Sequence, residues 1–449
     1  MTRAQLLAEV SRRLGDRRLV WAGLRGDDIE PLADLDQLQA SFSIVSRYSR
    51  RESVEALAYE DLTGKRVDPE IWDIEEHLDD EATHEFRQGL LRALASDSAL
   101  LPYRPSGFLS AIWFARRDRA WNLGMFGAHQ SAFEHKPWVE TSVAGLGVPH
   151  VPWHYIADED QLSANSVIRS GPVILRRSRT SGGEGLERID DPGDLAVHWP
   201  HVPERFMSIS PYLDGALPVN VGATVWKDGV TVHRPSVQLI GIPGIVTREF
   251  GYCGNDFGLM RDVDAHIIDE IERSTIAIGD WLSRNGYRGS FGVDYLVHEG
   301  HALFSEVNPR FQGSTHLSSR ISIEADEPCL LLEHVAAWLG IGAPDPACRP
   351  RLRDVVASTS DISHVVFHWT GLTPAELETR SFSTALRKAG GLAVELLPEP
   401  DLTVDTGAAV ARWTTRRRVT GNGYDLSESV IGIAGLITAT QNGMGMGSG

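Results

Sequence analysis

Asp294, Glu306 and Asn308 lie in the stretch FGVDYLVHEGHALFSEVNPRFQGST, residues 291–315, and two acids with a carboxamide at this spacing could hold a cation. Phe291 to Val297 is rich in β-branched and aromatic residues, His298-Glu299-Gly300-His301 supplies a turn with glycine where φ can turn positive, and Ala302 to Val307 runs extended again. Such a hairpin sets Asp294 opposite Ser305 or Glu306, and the period of two puts Phe304, Glu306 and Asn308 on one face. At about 5 Å and an effective dielectric near 20, opposed carboxylates repel by roughly 3 kcal/mol, so something must offset them. Hard divalent cations take oxygen ligands, and Mg²⁺ is held by one or two carboxylates while substrate phosphates and waters complete its shell. A solvated hairpin with two exposed acids is the plain alternative. Arg310 and Gln312, just beyond, add anion-binding capacity.

Several elements must position this hairpin. The segment DVDAHIIDEIERSTIAIGDWLSRNG (residues 262–286) carries Ile267, Ile268, Ile271, Thr275, Ile278 and Leu282 on one helical stripe and stops at Asn285-Gly286. Upstream, residues 206–241 are dense in β-formers with a turn at Lys227-Asp228-Gly229. GPVILRRSRTSGGEGLERI reads as strand, Gly-rich loop, strand, and EHKPWVETSVAGLGVPHVP as a helix with Pro137 in its first turn and Gly147 at its end. The loop Ser181-Gly182-Gly183-Glu184-Gly185 does not open a helix, so it is neither a Walker A nor a Rossmann turn; its amides could still form an anion nest, with Arg176 and Arg177 beside it. A mobile surface hairpin would read the same way.

Before about residue 125, RRLVWAG (17–23), FSIVSRY (42–48) and LSAIWFA (109–115) read as strands around helical segments such as HEFRQGLLRALAS, which suggests an open α/β layer. The three prolines of PDPACRPRL mark a boundary near residue 345, and the remainder reads as a small α+β unit ending in a flexible GMGMGSG tail.

The 449 residues suggest two to four domains, with 42% hydrophobic and 23% charged residues as in globular chains. A net charge of −18 argues against non-specific binding to nucleic acid or anionic membranes. The N-terminus has no apolar leader-like run, and ESVIGIAGLITAT is too short and glycine-broken to span a bilayer. Three cysteines without CxxC spacing point away from a disulfide framework or zinc site and toward a reducing, cytoplasmic setting.

The order of lysine helix, basic strand with Gly-rich hairpin, β-rich segment, long helix and acid hairpin ending in Glu-x-Asn-x-Arg resembles the ATP-grasp superfamily over residues 126–345. The resemblance implies an α/β and α+β multidomain protein: an N-terminal pre-ATP-grasp domain (1–125), the ATP-grasp domain (126–345, lid about 150–207) and the C-terminal α+β domain (346–449). It implies that ATP and Mg²⁺ bind, with Lys136, Arg176, Ser181, Gly182, Gly183 and Gly185 at the phosphates and Tyr212 and Leu213 at adenine. Asp294, Glu306 and Asn308 would be the metal ligands, Arg310 would face the transferred phosphoryl or acyl phosphate, and Arg288 is a candidate beside it.

Departures from the family pattern are Arg176 in place of a lysine, Ser210-Pro211 in the adenine linker and Leu217 where a ribose-binding acid often lies. The large N-terminal segment, the EVNPRFQGST ending and the extra C-terminal domain look most similar to pheganomycin-type peptide ligases. In them residues 239–258 would loop over the active site, with Arg248, Asn255, Asp256, Gln312 and Ser314 as substrate contacts. His364 and His368 share a strand face and read as a structural pair; RWTTRRRV (412–419) reads as a solvated basic strand, and His316 as either structural or substrate-facing.

The expected activity is an ATP-dependent carboxylate–amine ligase that forms an amide or peptide bond through an acyl phosphate. Its partners would be small carboxylates and amines, amino acids or peptides among them, and a homo-oligomer is compatible with the sequence. Transfer to a carrier-protein thiol, phosphorylation of a small-molecule hydroxyl and a nucleotide-binding regulatory protein that has lost turnover are the alternatives.

Overall fold

A computed structural model describes residues 1–157, 164, 167–168, 171–177, 182–199, 206–345, 347, 349–377, 379–428 and 430–433. Ser181, Cys348 and the GMGMGSG tail lie outside the described residues.

The N-terminal segment forms a five-stranded parallel sheet, in the order Glu55–Ala58, Leu38–Val45, Arg18–Arg25, Ser98–Pro102, Ala120–Asn122. Its central strands are apolar on both faces because both are covered. Leu19 and Trp21 join a core with the helix Arg3–Leu14, whereas Val20 and Ala22 face the helices Glu81–Ala93 and Gly107–Phe114 on the other side. The strand order reverses between Arg18–Arg25 and Ser98–Pro102, so a crevice opens outside their carboxyl ends.

LSAIWFA is a helix, not the expected strand. Its unbroken apolar run carries no period of its own, and Ser106 decides the matter by accepting the Leu109 N–H at 3.2 Å as an N-cap. The strand of this region is SALLP, Ser98–Pro102, just upstream.

Strands His154–Ile156, Met207–Pro211, Val173–Arg177 and Leu186–Ile189 make a small antiparallel sheet over its own core of Ile156, Leu175, Met207 and Ile209. The largest sheet has eight strands. It runs His301–Asn308, Gly289–His298, Leu217–Trp226, Gly229–Ile240, Tyr252–Asp256, Ser363–His368, Ala409–Thr415, Ala393–Glu395. Helix Ala265–Arg284 lies on it with Ile267, Ile268, Ile271, Thr275, Ile278 and Leu282 buried, the stripe read from the sequence.

The segment after residue 345 therefore pairs into the same sheet as the acid hairpin, through Gly254↔Val365 and its neighbours. Within 239–258 the loop spans only residues 241–251; Tyr252–Asp256 is an interior strand, because its peptide groups pair with a strand on each side. A buried charge cluster ties the parts together. Arg412 reaches Asp28 at 2.7 Å and Glu395 at 3.0 Å, while Arg320 of helix Thr315–Glu324 approaches Glu395 at 3.4 Å.

Candidate active site

The acid hairpin turns on Glu299 (φ 47°) and Gly300 (φ 80°), the two positive angles that a tight two-residue hairpin requires. Leu296 pairs with Leu303 and Tyr295 with Phe304; a bulge then inserts Ser305, so Asp294 pairs with Glu306 and Gly292 with Asn308. The extra residue is what brings the two carboxylates face to face. Gly292 leaves room for Gln312, whose amide oxygen would lie 1.5 Å from any Cβ there.

The protein itself offsets much of the repulsion. Lys136, at the start of helix Lys136–Ala144, forms an ion pair with Glu306. Burial works to raise the Glu306 carboxyl, but Lys136, Arg176 and Arg310 outweigh it and hold the group below the ordinary carboxylate range. Among the described residues Asp294 accepts hydrogen bonds from neutral amides: Asn220 donates at 2.7 Å, Asn308 at 2.9 Å, Gln238 and Gln312 at 3.3 Å. Burial and the nearby Glu306 push its carboxyl up to about 6. The imbalance, with hard oxygens at hand from Asp294, Glu306 and Asn308, fits a divalent cation.

These residues form the polar end of a cleft, shared with Glu70, Arg310 and Gln312. Its other end is lined by Trp153, Ile174, Leu186, Tyr212, Leu213 and Tyr424. Gly182 and Gly183, both with positive φ (55° and 79°), also line it. A Cβ on Gly183 would meet the Phe250 carbonyl oxygen at 2.0 Å, so only glycine lets this loop approach the 241–251 segment. Arg248 fastens the same contact: it donates to the Gly182 carbonyl at 3.1 Å and to Asp68 at 2.7 Å.

Of the residues singled out from the sequence, Gly182, Gly183, Tyr212, Leu213, Asn255, Asp294, Glu306, Asn308, Arg310, Gln312 and Ser314 line the cleft. Lys136 touches it through Glu306. Arg176 is turned into a buried pair with Glu140 at 2.6 Å and stacks on Trp153, its guanidinium carbon 3.9 Å from the ring centre. Gly185 has φ 69° and accepts from the Arg177 N–H at 3.0 Å. Asp256 faces away from the cleft, accepting the Leu259 N–H at 3.0 Å and the Val419 N–H at 2.6 Å. Arg288 stands just before Gly289, which pairs with Val225 at the strand end remote from Asp294, so the hairpin's length separates it from the acids. His364 approaches Tyr252 at 3.0 Å, and His316 is buried 3.6 Å from Glu30.

Sequence reasoning missed Glu70, Trp153, Gln238, Phe250, Tyr252 and Tyr424, which also line the cleft. Each comes from a different element, and none carries a local spacing that would single it out.

No family model matches the chain. A formate-dependent phosphoribosylglycinamide formyltransferase from Hydrogenovibrio crunogenus is 23% identical over 205 residues, 44% of this chain and 48% of that protein. The chain thus spans about half of that relative's length. Among solved structures, N5-carboxyaminoimidazole synthase from Aspergillus clavatus, with ADP and 5-aminoimidazole ribonucleotide, superposes at a TM-score of 0.62 and 11% identity, covering 94% of this chain and 99% of that one. The biotin carboxylase domain of the Hydrogenobacter thermophilus 2-oxoglutarate carboxylase, with MgADP and bicarbonate, gives 0.60 and 12%, covering 89% and 86%. Among the described residues no helix is long and apolar enough to cross a membrane. With the small antiparallel sheet and the acid hairpin beside the cleft, this is a multidomain chain with the ATP-grasp fold.

Proposed function

We propose that the protein is an ATP-dependent carboxylate–amine ligase that forms an amide or peptide bond on amino acid or peptide substrates of specialised metabolism. The observation that carries this reading is the bulged hairpin, which opposes Asp294 and Glu306 and adds Asn308 at the polar end of a two-ended cleft. Tyr212, Leu213, Trp153 and Ile174 offer the adenine an apolar slot, and the Gly182-Gly183 amides and Lys136 lie where its phosphates would reach. Asp294, Glu306 and Asn308 would hold Mg²⁺, which supplies neutralisation of phosphate charge when bound.

Arg310 orients the substrate carboxylate, whose oxygen attacks the γ-phosphorus as the bond to ADP breaks. The amine then attacks the acyl carbon. The neutral amine's C–N bond forms, the C–O bond breaks, and phosphate leaves with the electron pair and takes up the proton that the nitrogen gives up. No nucleophilic side chain is needed for either step. Arg176, paired with Glu140 and stacked on Trp153, adds positive charge at Glu306, and Arg288 takes no part.

Purified protein with Mg-ATP, pooled amino or carboxylic acids and hydroxylamine should release ADP and phosphate and yield a hydroxamate. AMP and pyrophosphate would refute the acyl phosphate, and ADP with a phosphorylated alcohol would make the protein a phosphotransferase. A second reading takes bicarbonate as the carboxylate, favoured by the bicarbonate in the Hydrogenobacter structure. ADP release that depends on bicarbonate and gives no hydroxamate would select it.

A further inference from the structure

The apolar end of the cleft carries a phenol from the C-terminal segment, Tyr424. The turn that bears it, residues 420–425, is closed on itself. The Thr420 hydroxyl accepts the Gly423 N–H at 2.8 Å and donates to the Asp425 carbonyl at 2.7 Å, and the Asn422 amide oxygen accepts the Tyr424 N–H at 2.9 Å. Gly423, at φ 82°, presses the turn against the large sheet: its carbonyl accepts the Ile240 N–H at 2.9 Å. A Cβ there would lie 2.6 Å from the Gln238 carbonyl oxygen and 2.9 Å from the Pro218 ring. Asp256 anchors the entry, accepting the Val419 N–H at 2.6 Å and the Thr420 N–H at 3.4 Å. The sheet that carries the acid hairpin therefore also fixes where Tyr424 stands.

Burial, with Tyr212 close by, pushes the Tyr424 hydroxyl up to about 12, so it keeps its proton and can both donate and accept. Among the described residues no group bonds that hydroxyl. The groups around it are spoken for. Pro211 has no N–H, Tyr212 gives its own to the Pro172 carbonyl at 2.8 Å, and the Ser210 hydroxyl donates to the Pro211 carbonyl at 3.3 Å. Arg188 covers the Tyr212 ring, its guanidinium carbon 4.1 Å from the centre. Leu213, Ile174 and Leu186 add apolar surface. An apolar slot accepts any flat ring, and choosing one ring takes a polar atom placed at its edge.

We infer that Tyr424 selects the base of the nucleotide, its hydroxyl accepting a hydrogen bond from the 6-amino group of adenine. This rests on the reading of the apolar end as the adenine slot. It gives the C-terminal segment a part in nucleotide recognition: the linker Ser210-Pro211-Tyr212-Leu213 supplies the walls, and a side chain more than two hundred residues later reads the edge. A ring without the amino group would leave the hydroxyl buried against it and unpaired, which is the source of the discrimination.

The experiment titrates the full chain with MgADP and with the magnesium complex of purine riboside 5′-diphosphate, which is ADP without the 6-amino group. Calorimetry reads Kd for the wild type, Tyr424→Phe and Tyr424→Ala. Phenylalanine keeps the ring and removes the hydroxyl. The wild type should bind MgADP about tenfold more tightly than the analogue. Tyr424→Phe should weaken MgADP to the level of the analogue while leaving the analogue's Kd and the melting temperature unchanged. Equal affinities in the wild type, or an undiminished preference in Tyr424→Phe, would overturn the assignment. A preference kept by Tyr424→Phe and lost by Tyr424→Ala would overturn it too, since the ring and not the hydroxyl would then be responsible. Neither carboxylate nor amine is present, so the outcome stands whether or not the protein is a ligase. A wild type that binds neither nucleotide would remove the adenine slot itself, and the assignment with it.

Discussion

The acid hairpin and the charge cluster at the junction both bury carboxylates, and they treat them in opposite ways. At the junction, burial would raise the Glu395 carboxyl, but Arg412, His316 and Arg320 outweigh it and bring the group down to about 2. In the hairpin, Asp294 receives four amide donors and no ion pair among the described residues; burial and Glu306 outweigh the pull of Arg310, and its carboxyl rises to about 6. One region is electrostatically complete and holds the N-terminal, central and C-terminal segments together; the other is short of positive charge. Structural acids bring their counterions with them, whereas this site leaves the last one to be supplied by what binds.

The sharpest way to test that contrast is to neutralise the incomplete region. Asp294→Asn and Glu306→Gln should each lower steady-state ADP release by about 100-fold or more while circular dichroism stays unchanged. The thermal stabilisation that the wild type gains from MgADP, about 2.7 kcal/mol at a hundredfold excess over Kd, should disappear with them. Activity near the wild-type level in either variant would remove the hairpin from the metal site.

In the complete region the effect should fall on stability. Arg412→Met leaves Asp28 and Glu395 buried without their main cation and should cost about 3–5 kcal/mol in urea unfolding. A loss below about 1 kcal/mol would mean that Arg50 and Arg320, at 3.2 and 3.4 Å from Glu395, compensate.

A pH titration separates these from ordinary burial. His334 accepts the Ser290 N–H at 2.9 Å and donates to the Leu123 carbonyl at 2.8 Å, and burial lowers its pKa to about 4. The neutral ring is the folded form. Its contribution is therefore full above pH 6.5 and is lost as pH falls toward 4, by up to about 3 kcal/mol. Glu395 adds a further loss as pH falls below the ordinary glutamate range toward 2. Melting temperature should drop between pH 6.5 and 4 in the wild type, and His334→Leu should flatten that slope while lowering stability at neutral pH.

The smallest effect is expected at Arg248, which bridges the Gly-rich loop and Asp68. Arg248→Ala should weaken the closed cleft by roughly 1–1.5 kcal/mol and raise the ratio of ADP released to amide formed by up to about tenfold. An unchanged ratio would make the bridge structural only.

The parts legible in the sequence were those in which one short segment carries the whole signal. The hairpin's two strands, the stripe on Ala265–Arg284 and the turn at Lys227-Asp228 follow from period and turn chemistry over a few residues. The register was only half legible, because the bulge at Ser305 has no sequence mark. Arg176 reads as a phosphate contact from its strand position, yet Glu140, on a helix read without reference to charge, captures it. Glu70 and Tyr424 come from segments that share no pattern with the acids they adjoin, and only the fold brings them to the cleft.

The continuous sheet has a practical consequence. The three prolines between residues 344 and 350 look like a convenient place to cut the chain. Strand Tyr252–Asp256 takes its second partner from Ser363–His368, so a fragment ending near residue 345 would carry a bare row of peptide groups along that edge. Such an edge recruits other chains, and the shortened protein should precipitate or form strand-exchanged oligomers on concentration where the full chain stays dispersed.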